Sequence, residues 1–170
     1  ILEISSFQLE SIDSFHPQIA AVLNVTPNHL DRHGDFAAYH AAKGRIFANQ
    51  KAADWAVLNQ ADEGSRAYAP RLISRIAWFN GEAARLHGDA IELLGTRLMA
   101  TADLRLPGAH NHENVMAAAL VASLAGAPHE AIARAAAAFK GVAHRLEFIR
   151  EVRGVKSYND SKATSVDASL

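Results

Sequence analysis

Short apolar runs alternate with helix-like segments along this sequence, and this alternation constrains the fold more than any other feature. The predicted strands are Ile1–Ile4, Ile19–Val25, Trp55–Asn59, Ile76–Phe79 and Val155–Tyr158. Runs of this length that are separated by helices are typical of strands buried in a parallel sheet. The pattern therefore predicts an α/β fold with a mostly parallel sheet flanked by helices.

Three helices are predicted from their ends and their apolar faces. The first runs from the N-cap Asp35 to about Gln50, the second from the N-cap Asn111 to about Ala125, and the third from Pro128 to Gly141. Ile132, Ala136 and Phe139 share one face of the third helix. Between Arg85 and Leu106, turns at Gly88–Asp89 and Gly95–Thr96 predict a small antiparallel sheet instead.

Composition excludes several classes of protein. Seventeen Lys and Arg against 18 Asp and Glu give a net charge of −1, which disfavours a nucleic-acid-binding domain. The absence of cysteine excludes disulfides, thiolate zinc sites and a cysteine nucleophile. No apolar run has the roughly 20 residues that a membrane span requires. No signal peptide is recognised, so we expect no membrane insertion and a cytoplasmic location.

Lys43 is the most informative residue, because it falls within the predicted apolar stripe of its helix. Phe36, Tyr39, Ile46 and Phe47 define that stripe at helical spacing. The side chain could simply pack its stem and direct the ammonium outward or toward a carboxylate. Alternatively, burial would lower its pKa and make the amine reactive, either directly or as a carbamate that donates oxygen to a hard cation.

Three further groups of residues could carry chemistry. His29, Asp31 and His33 follow a strand and could bind a metal, but the pattern is weak, and hydrogen-bonded loop histidines are the preferred interpretation of the spacing alone. Glu3 is either a residue at the edge of the sheet or a metal ligand. As a ligand, it would act with His29 to bind a divalent ion that also contacts phosphate oxygens. The polar turns 158–164 and 109–114 can both be explained as capped helix ends. For 158–164, the alternative is an anion-binding site. In parallel sheets, ligands sit at the carboxyl ends of strands, where Glu3, His29 and Asp160 are expected.

No phosphate-binding loop Gly-x-x-x-x-Gly-Lys-Ser/Thr is present, since none of the ten glycines is followed by Lys and then Ser or Thr. If the chain uses a nucleoside triphosphate, the phosphate cradle would precede Ile1. The chain starts within an apolar run and ends at Leu170 beside a helix-like segment. We therefore expect it to be a segment of a longer protein, inactive on its own and poorly stable in isolation.

Six motifs in succession resemble the Mur ligase family. They are Leu-Glu-Ile-Ser-Ser-Phe-Gln-Leu-Glu (2–10), Leu-Asn-Val-Thr-Pro-Asn-His-Leu-Asp-Arg (23–32), Tyr-His-Ala-Ala-Lys (39–43), His-Asn-His-Glu-Asn (110–114), His-Arg-Leu-Glu (144–147) and Asn-Asp-Ser-Lys-Ala-Thr (159–164). The last motif is the most specific and is similar to that of the member that adds D-glutamate.

The resemblance implies an ATP-dependent ligase of bacterial peptidoglycan synthesis. It would join D-glutamate to UDP-N-acetylmuramoyl-L-alanine through an acyl phosphate. Carried over by motif, Glu3, His29 and a carbamylated Lys43 would be catalytic and would bind Mg²⁺. The expected ATP contacts are Asn111, Asn114, Arg145, Asp160 and Lys162. The expected substrate contacts are Ser5, Gln8, Lys162 and Thr164.

The resemblance also implies a domain division and a monomer. Residues 1–141 would belong to a central, P-loop-like ATPase domain, and residues 142–170 would begin a Rossmann-like C-terminal domain that binds the amino acid. Two other interpretations remain open. One is a metal-dependent hydrolase that uses Glu3, His29, Asp31 and His33, and the other is a non-catalytic module in which Lys43→Met is harmless.

Overall fold

The fold is centred on a six-stranded sheet in a computed structural model that describes residues 1–106 and 108–162. Its strands are β1 (Ile19–Val22), β2 (Trp55–Asn59), β3 (Arg75–Phe79), β4 (Ala84–His87), β5 (Ala90–Leu93) and β6 (Thr96–Ala100), which lie side by side in chain order. Strands β1, β2 and β3 are parallel, and β4 meets β3 in parallel at one residue pair. Strands β4, β5 and β6 form an antiparallel meander. The predicted α/β class and the antiparallel segment are both confirmed.

Six helices accompany the sheet. They are α1 (Ser6–Glu10), α2 (Leu30–His33), α3 (Phe36–Gly44), α4 (Glu63–Arg66), α5 (Ala109–Leu124) and α6 (His129–Ala138). Successive residues of β2 and β3 pack into two different hydrophobic clusters, so that this part of the sheet has a core on each face. Val57 and Phe79 pack with Met116 and Leu120 of α5, whereas Leu58 packs with Tyr39 of α3. The sheet therefore holds α3 and α5 on separate hydrophobic cores.

Helix α3 begins where the sequence predicted and ends earlier. The side chain of Asp35 accepts a hydrogen bond from the backbone N–H of Ala38, as an N-cap should. The α-helix ends at Gly44, and a single 3₁₀ turn at Arg45–Phe47 replaces its predicted continuation to Gln50. A Cβ atom at Gly44 would lie 2.7 Å from the ring of Tyr68, so this position favours glycine despite its poor helix propensity.

The strand predicted at Ile1–Ile4 is wrong. Residues 1–5 pair with no strand among the described residues, and Ile1 and Leu2 are exposed. An apolar run becomes a strand only where a neighbour completes its hydrogen bonds, and none is described beside this run. The run is followed by a capping box, in which Ser5 caps α1 and exchanges hydrogen bonds with Gln8.

Helix boundaries also differ in the second half of the chain. Asn111 is not the N-cap of α5, because Gly108 takes that place with a φ of 96° and puts Asn111 within the first turn. Helix α6 begins after Pro128 and ends at Ala138, before the predicted stop at Gly141. Phe139 is therefore beyond the helix and exposed, although Ile132 is buried as expected. Helix α5 ends at Leu124, close to the predicted end at about Ala125, and Gly126 follows with a φ of 91°.

The last strand predicted from the sequence pairs in an unexpected way. Val155–Asn159 (β8) forms an antiparallel hairpin with Glu147–Val152 (β7), a strand that the sequence analysis missed. The hairpin is a separate two-stranded sheet, so its loop does not share an edge with β1 and β2. The expected helix start near Leu170 lies outside the described residues. No helix in the part of the chain that the structure describes is long and apolar enough to cross a membrane.

Candidate functional site

A pocket of about 420 Å³ brings together five residues that the sequence analysis selected. Its lining includes Glu3, Ser5, Gln8, His29 and Lys43. These residues come from the unpaired N-terminal segment, from α1, from the start of α2 and from the last turn of α3. We call this cavity the Lys43 pocket. It places the expected metal ligands and two expected substrate contacts on one surface.

His29 is held in an unusual backbone conformation at the edge of the Lys43 pocket. Its φ of 52° and ψ of 34° are left-handed, and its backbone N–H lies 2.9 Å from Oδ1 of Asn28, which accepts a hydrogen bond from it. The imidazole packs against the rings of Phe7 and Tyr39, with centroids 5.0 and 6.5 Å away. A non-glycine residue in this conformation stores of order 1–3 kcal/mol, and such strain concentrates at functional sites.

Lys43 is half-buried, and burial lowers the pKa of its ammonium group. Its Nζ lies 5.7 Å from the centroid of the Tyr39 ring, a cation–π distance. Among the described residues, no carboxylate lies within ion-pair distance of this ammonium. Of the interpretations left open by the sequence, pairing with a carboxylate is therefore not the one observed. The lowered pKa increases the neutral share of the amine relative to a fully solvated lysine.

The four-residue metal cluster required by the hydrolase interpretation is not assembled. Asp31 is exposed and does not line the Lys43 pocket. His33 points away, with Nε2 3.0 Å from the hydroxyl of Ser6 and Nδ1 3.2 Å from a carboxylate oxygen of Glu10. Within residues 1–106 and 108–162, no three His, Cys, Asp or Glu side chains are grouped so that they could hold a metal ion. His29 is the left-handed N-cap of α2 and lies outside the helix, so the i, i+4 spacing of a helical metal motif does not apply to His29 and His33.

A second cavity, of about 950 Å³, adjoins the first. Asn111 and Asn114 of α5 line it together with Arg145, and Glu3 lies in the lining of both cavities. The amide nitrogen of Asn114 is 3.5 Å from the amide oxygen of Asn111. The opposite wall is the hairpin, which contributes Phe148 of β7 and Tyr158 of β8. We call this cavity the Asn111 cavity.

Asp160 and Lys162 do not line either cavity, but their loop is tied to the segment that carries Arg145. One carboxylate oxygen of Asp160 accepts a hydrogen bond of 3.1 Å from the backbone N–H of Leu146. The backbone N–H of Lys162 donates to the carbonyl of His144 at 3.0 Å. These two hydrogen bonds therefore hold the loop next to the segment that carries Arg145. Thr164, the remaining expected substrate contact, lies outside the described residues.

Two basic lining residues of the Asn111 cavity, Arg105 and Lys140, were not selected from the sequence. His110 also lines the cavity and belongs to the motif 110–114, but no role was assigned to it. Lys140 lies between α6 and the hairpin, and Arg105 lies between the meander and α5, so no periodic pattern marks either. Local pattern does not show that these loops converge.

Comparison with known proteins gives a family and a set of relatives. Residues 1–122 match the Mur ligase middle domain. A Solibacter usitatus protein named "UDP-N-acetylmuramoylalanine--D-glutamate ligase" is 51% identical over 175 residues, covering 100% of this chain and 40% of the relative. A Koribacter versatilis protein of the same name is 49% identical over 179 residues, with the same coverage. The chain thus spans about 40% of the length of these curated relatives.

Solved structures agree at the level of the fold. The Thermotoga maritima UDP-N-acetylmuramate-alanine ligase MurC matches 96% of this chain and 38% of its own, with a TM-score of 0.69 at 20% identity. A UDP-N-acetylmuramoyl-L-alanyl-D-glutamate–2,6-diaminopimelate ligase matches 88% of this chain and 34% of its own, with a TM-score of 0.69 at 24% identity. With the family match covering more than half of the residues, the chain belongs to the Mur ligase middle-domain family.

Proposed function

We propose that this chain is the central part of an ATP-dependent ligase that joins D-glutamate to UDP-N-acetylmuramoyl-L-alanine in bacterial peptidoglycan synthesis. The names of the Solibacter and Koribacter relatives support this substrate pair. The proposal includes the division at residue 141, with residues 142–170 starting the amino-acid-binding domain. It also includes a monomer that works in the cytoplasm.

One observation carries the proposal: Glu3 lies in the lining of both cavities. A phosphoryl transfer from ATP needs a nucleotide site and an acceptor site that meet at the transferred phosphate. The Asn111 cavity has the size and the amide and guanidinium groups expected of a nucleotide site. The Lys43 pocket has the groups expected around the acceptor. Glu3 stands where the two adjoin.

The donor set in the Lys43 pocket fits Mg²⁺ with one modification. Glu3 and His29 supply two protein donors, and Mg²⁺ in phosphoryl-transfer sites usually keeps several waters and binds few protein groups beside the phosphates. The ammonium of unmodified Lys43 cannot be a ligand. A carbamate on Lys43 would supply a third donor with an oxygen atom. Bound there, Mg²⁺ would neutralise charge that develops on the phosphate oxygens.

Carbamylation of Lys43 is chemically reasonable because its amine is half-buried and its pKa is lowered. The neutral amine attacks the carbon of CO₂, one proton leaves the nitrogen, and a negatively charged carbamate results. This reverses the charge of the side chain, which then no longer gains from the face of the Tyr39 ring. A nearby cation would offset that change.

Residues of the Asn111 cavity are assigned to the nucleotide by their chemistry. The amides of Asn111 and Asn114 can donate to and accept from the edge of adenine. Arg145 can form paired hydrogen bonds to phosphate oxygens. The second carboxylate oxygen of Asp160 remains for ribose hydroxyls, since one oxygen accepts from Leu146. Lys162 and Thr164 would approach the terminal phosphate and D-glutamate from the same loop.

The reaction proceeds in two steps in this arrangement. A carboxylate oxygen of UDP-N-acetylmuramoyl-L-alanine attacks the terminal phosphorus of ATP, and ADP leaves with the electron pair of the broken bond. The amine of D-glutamate then attacks the carbonyl carbon of the acyl phosphate, losing a proton as inorganic phosphate departs. Ser5 and Gln8 would orient the first substrate, and closure over the cavities would keep water from the acyl phosphate.

A segment exchange tests the proposed function. Residues 1–170 would replace the matching segment of the Solibacter usitatus relative, and phosphate release from ATP would be followed with UDP-N-acetylmuramoyl-L-alanine. We expect release with D-glutamate, and none with L-glutamate, L-lysine or no amino acid. The chain alone serves as the inactive control. Release only with another amino acid would refute the substrate, and no release from a folded hybrid would refute the ligase proposal.

A further inference from the structure

We infer that His33 is a positioning residue, which fixes the segment carrying Glu3 against the segment carrying His29. The inference rests on the proposed function, because these segments supply the two unmodified ligands of its metal centre. His33 itself does not line the Lys43 pocket. It acts through Ser6, which does, and through the short helix α1.

The backbone does not fix the distance between Glu3 and His29. Residues 1–5 belong to no strand, and His29 lies outside both β1 and α2 in a left-handed conformation. Over the described residues, no backbone hydrogen bond connects residues 1–10 with residues 28–34. A metal site tolerates little error in ligand position. Because no backbone hydrogen bonds connect these two segments, side-chain contacts have to hold them together.

Side chains of α1 and α2 supply these contacts, and His33 is at their centre. Its imidazole is 2% exposed, with Nε2 3.0 Å from Oγ of Ser6 and Nδ1 3.2 Å from Oε1 of Glu10. The ring of Phe7 stacks on it at a centroid distance of 5.3 Å and an interplanar angle of 1°. Arg32 adds a second ion pair to Glu10, at 3.0 Å.

The partners of His33 determine where its proton lies. An ionised carboxylate can only accept, so Glu10 favours a proton on Nδ1. Nε2 then carries the lone pair, and the hydroxyl of Ser6 donates to it. This is the atom order of a serine–histidine–acid triad. Here Ser6 is 5% exposed and Phe7 covers the imidazole, so the arrangement serves to hold α1 against α2.

The test measures Mn²⁺ binding by electron paramagnetic resonance with residues 1–170, unaltered or substituted, placed in the hybrid with the Solibacter usitatus relative, because the chain is expected to be poorly stable in isolation. His33→Phe keeps an aromatic ring against Phe7 and Tyr39 but removes both nitrogens. We expect about tenfold weaker Mn²⁺ binding, as is typical when a group that supports a ligand is lost. His129→Phe is the matched control. The Nε2 of His129 also lies close to a serine hydroxyl, 3.3 Å from Oγ of Ser123, but both residues are distant in sequence from Glu3 and His29. It should leave Mn²⁺ affinity unchanged.

Further variants separate positioning from loss of folding. His33→Gln, whose amide can both donate and accept, should recover part of the affinity, and Ser6→Ala and Glu10→Gln should each weaken binding. Nitrogen NMR of the unaltered chain should show His33 protonated at Nδ1. The opposite tautomer, or equal Mn²⁺ affinity in folded His33→Phe, would overturn the inference alone. Failure of the unaltered hybrid to bind Mn²⁺ would contradict the proposed metal centre, and the inference with it.

Discussion

The Lys43 pocket and the Asn111 cavity adjoin at Glu3 but are built in opposite ways. The Asn111 cavity takes its amides from the 16-residue helix α5 and two aromatic side chains from a hairpin. The Lys43 pocket takes Glu3 and Ser5 from a segment without secondary structure and His29 from a left-handed residue. Only Tyr39 and Lys43 come from a longer helix. The amide and aromatic groups of the first thus come from regular backbone, although loops complete its lining, whereas the ligands of the second depend on side-chain contacts.

This difference indicates where each region is sensitive to mutation. Where backbone hydrogen bonds hold a wall in place, losing one side chain removes only its own contacts. Where side chains hold the ligands in place, one substitution displaces others. We therefore expect substitutions in the Lys43 pocket to cost more activity than those in the Asn111 cavity. The predictions below, from the largest expected effect to the smallest, test that ranking.

Lys43→Met in the hybrid ligase should lower phosphate release by at least about 10²-fold, because it removes a group that we place at the developing charge. Folding stability should stay the same or rise, since the folded chain holds the Lys43 ammonium in a partly desolvated place. Phosphate release and thermal unfolding would be measured together. Lys51→Met, at an exposed lysine, is the control. Full activity in Lys43→Met would support the non-catalytic interpretation.

The Lys43 pKa also predicts a dependence of stability on pH. Because the pKa is lower in the folded state, the unfolded chain binds more protons between the folded pKa and about 10.4. The stability of the unaltered chain relative to Lys43→Met should therefore increase with pH across that interval. Urea unfolding at several pH values measures it. A stability difference that does not change with pH would show that the ammonium is fully solvated.

Arg145→Ala should raise the KM for ATP by about tenfold to a hundredfold, because charge-assisted hydrogen bonds to phosphate are worth roughly 1.5–3 kcal/mol. The decrease in kcat should be smaller than that caused by Lys43→Met. Steady-state kinetics of the hybrid with varied ATP measures both. Arg134→Ala removes an exposed arginine of α6 and should change neither. An unchanged KM for ATP would remove Arg145 from the nucleotide site.

Asp35→Ala should cost about 1 kcal/mol of stability, because the Asp35 carboxylate caps α3 through the N–H of Ala38 at 2.8 Å. Activity should fall only slightly, since Tyr39 still packs in the core beneath Lys43. Chemical denaturation gives the free energy of unfolding, with Asp13→Ala at an exposed position as the comparison. If the two variants unfold alike, the cap does not stabilise α3.

Asp31→Asn should have the smallest effect, within about twofold in Mn²⁺ affinity and in phosphate release. Asp31 is exposed and lies outside the Lys43 pocket. The hydrolase interpretation, by contrast, uses this carboxylate as a ligand and requires a large loss. Mn²⁺ titration of the chain distinguishes the two outcomes, because carboxylates contribute strongly to binding of hard cations.

The sequence predicts the fold well where hydrophobic periodicity is regular. It predicts the fold poorly where the formation of a strand depends on which other strand pairs with it. Trp55–Asn59 has its predicted bounds, because β2 is a short and almost fully buried apolar run, as a central strand of a parallel sheet should be. Ile1–Ile4 is as apolar as a strand, but apolarity alone supplies no partner for its backbone. Strand β7 was missed because its side chains are mostly exposed and give no alternation. A local sequence pattern indicates which residues are buried, but it does not indicate which strands pair with one another.

The candidate site shows a similar division. The Lys43 anomaly was visible because a charged residue interrupted an apolar stripe, and the structure places that residue beside Glu3 and His29. The hydrolase cluster stayed open as an alternative because spacing alone does not show where the side chains of Asp31 and His33 lie. The role inferred for His33 needs α1 and α2 to meet, and no single stretch of sequence contains that information.

The most direct test of the account is whether Lys43 carries a carbamate that belongs to a metal site. The chain would be incubated with isotope-labelled bicarbonate, and carbon NMR spectra would be recorded with and without Mn²⁺. We predict a carbamate resonance that is absent in Lys43→Met and that Mn²⁺ broadens selectively. A spectrum without that resonance, or a Lys43 carbamate signal that Mn²⁺ leaves sharp, would contradict this prediction.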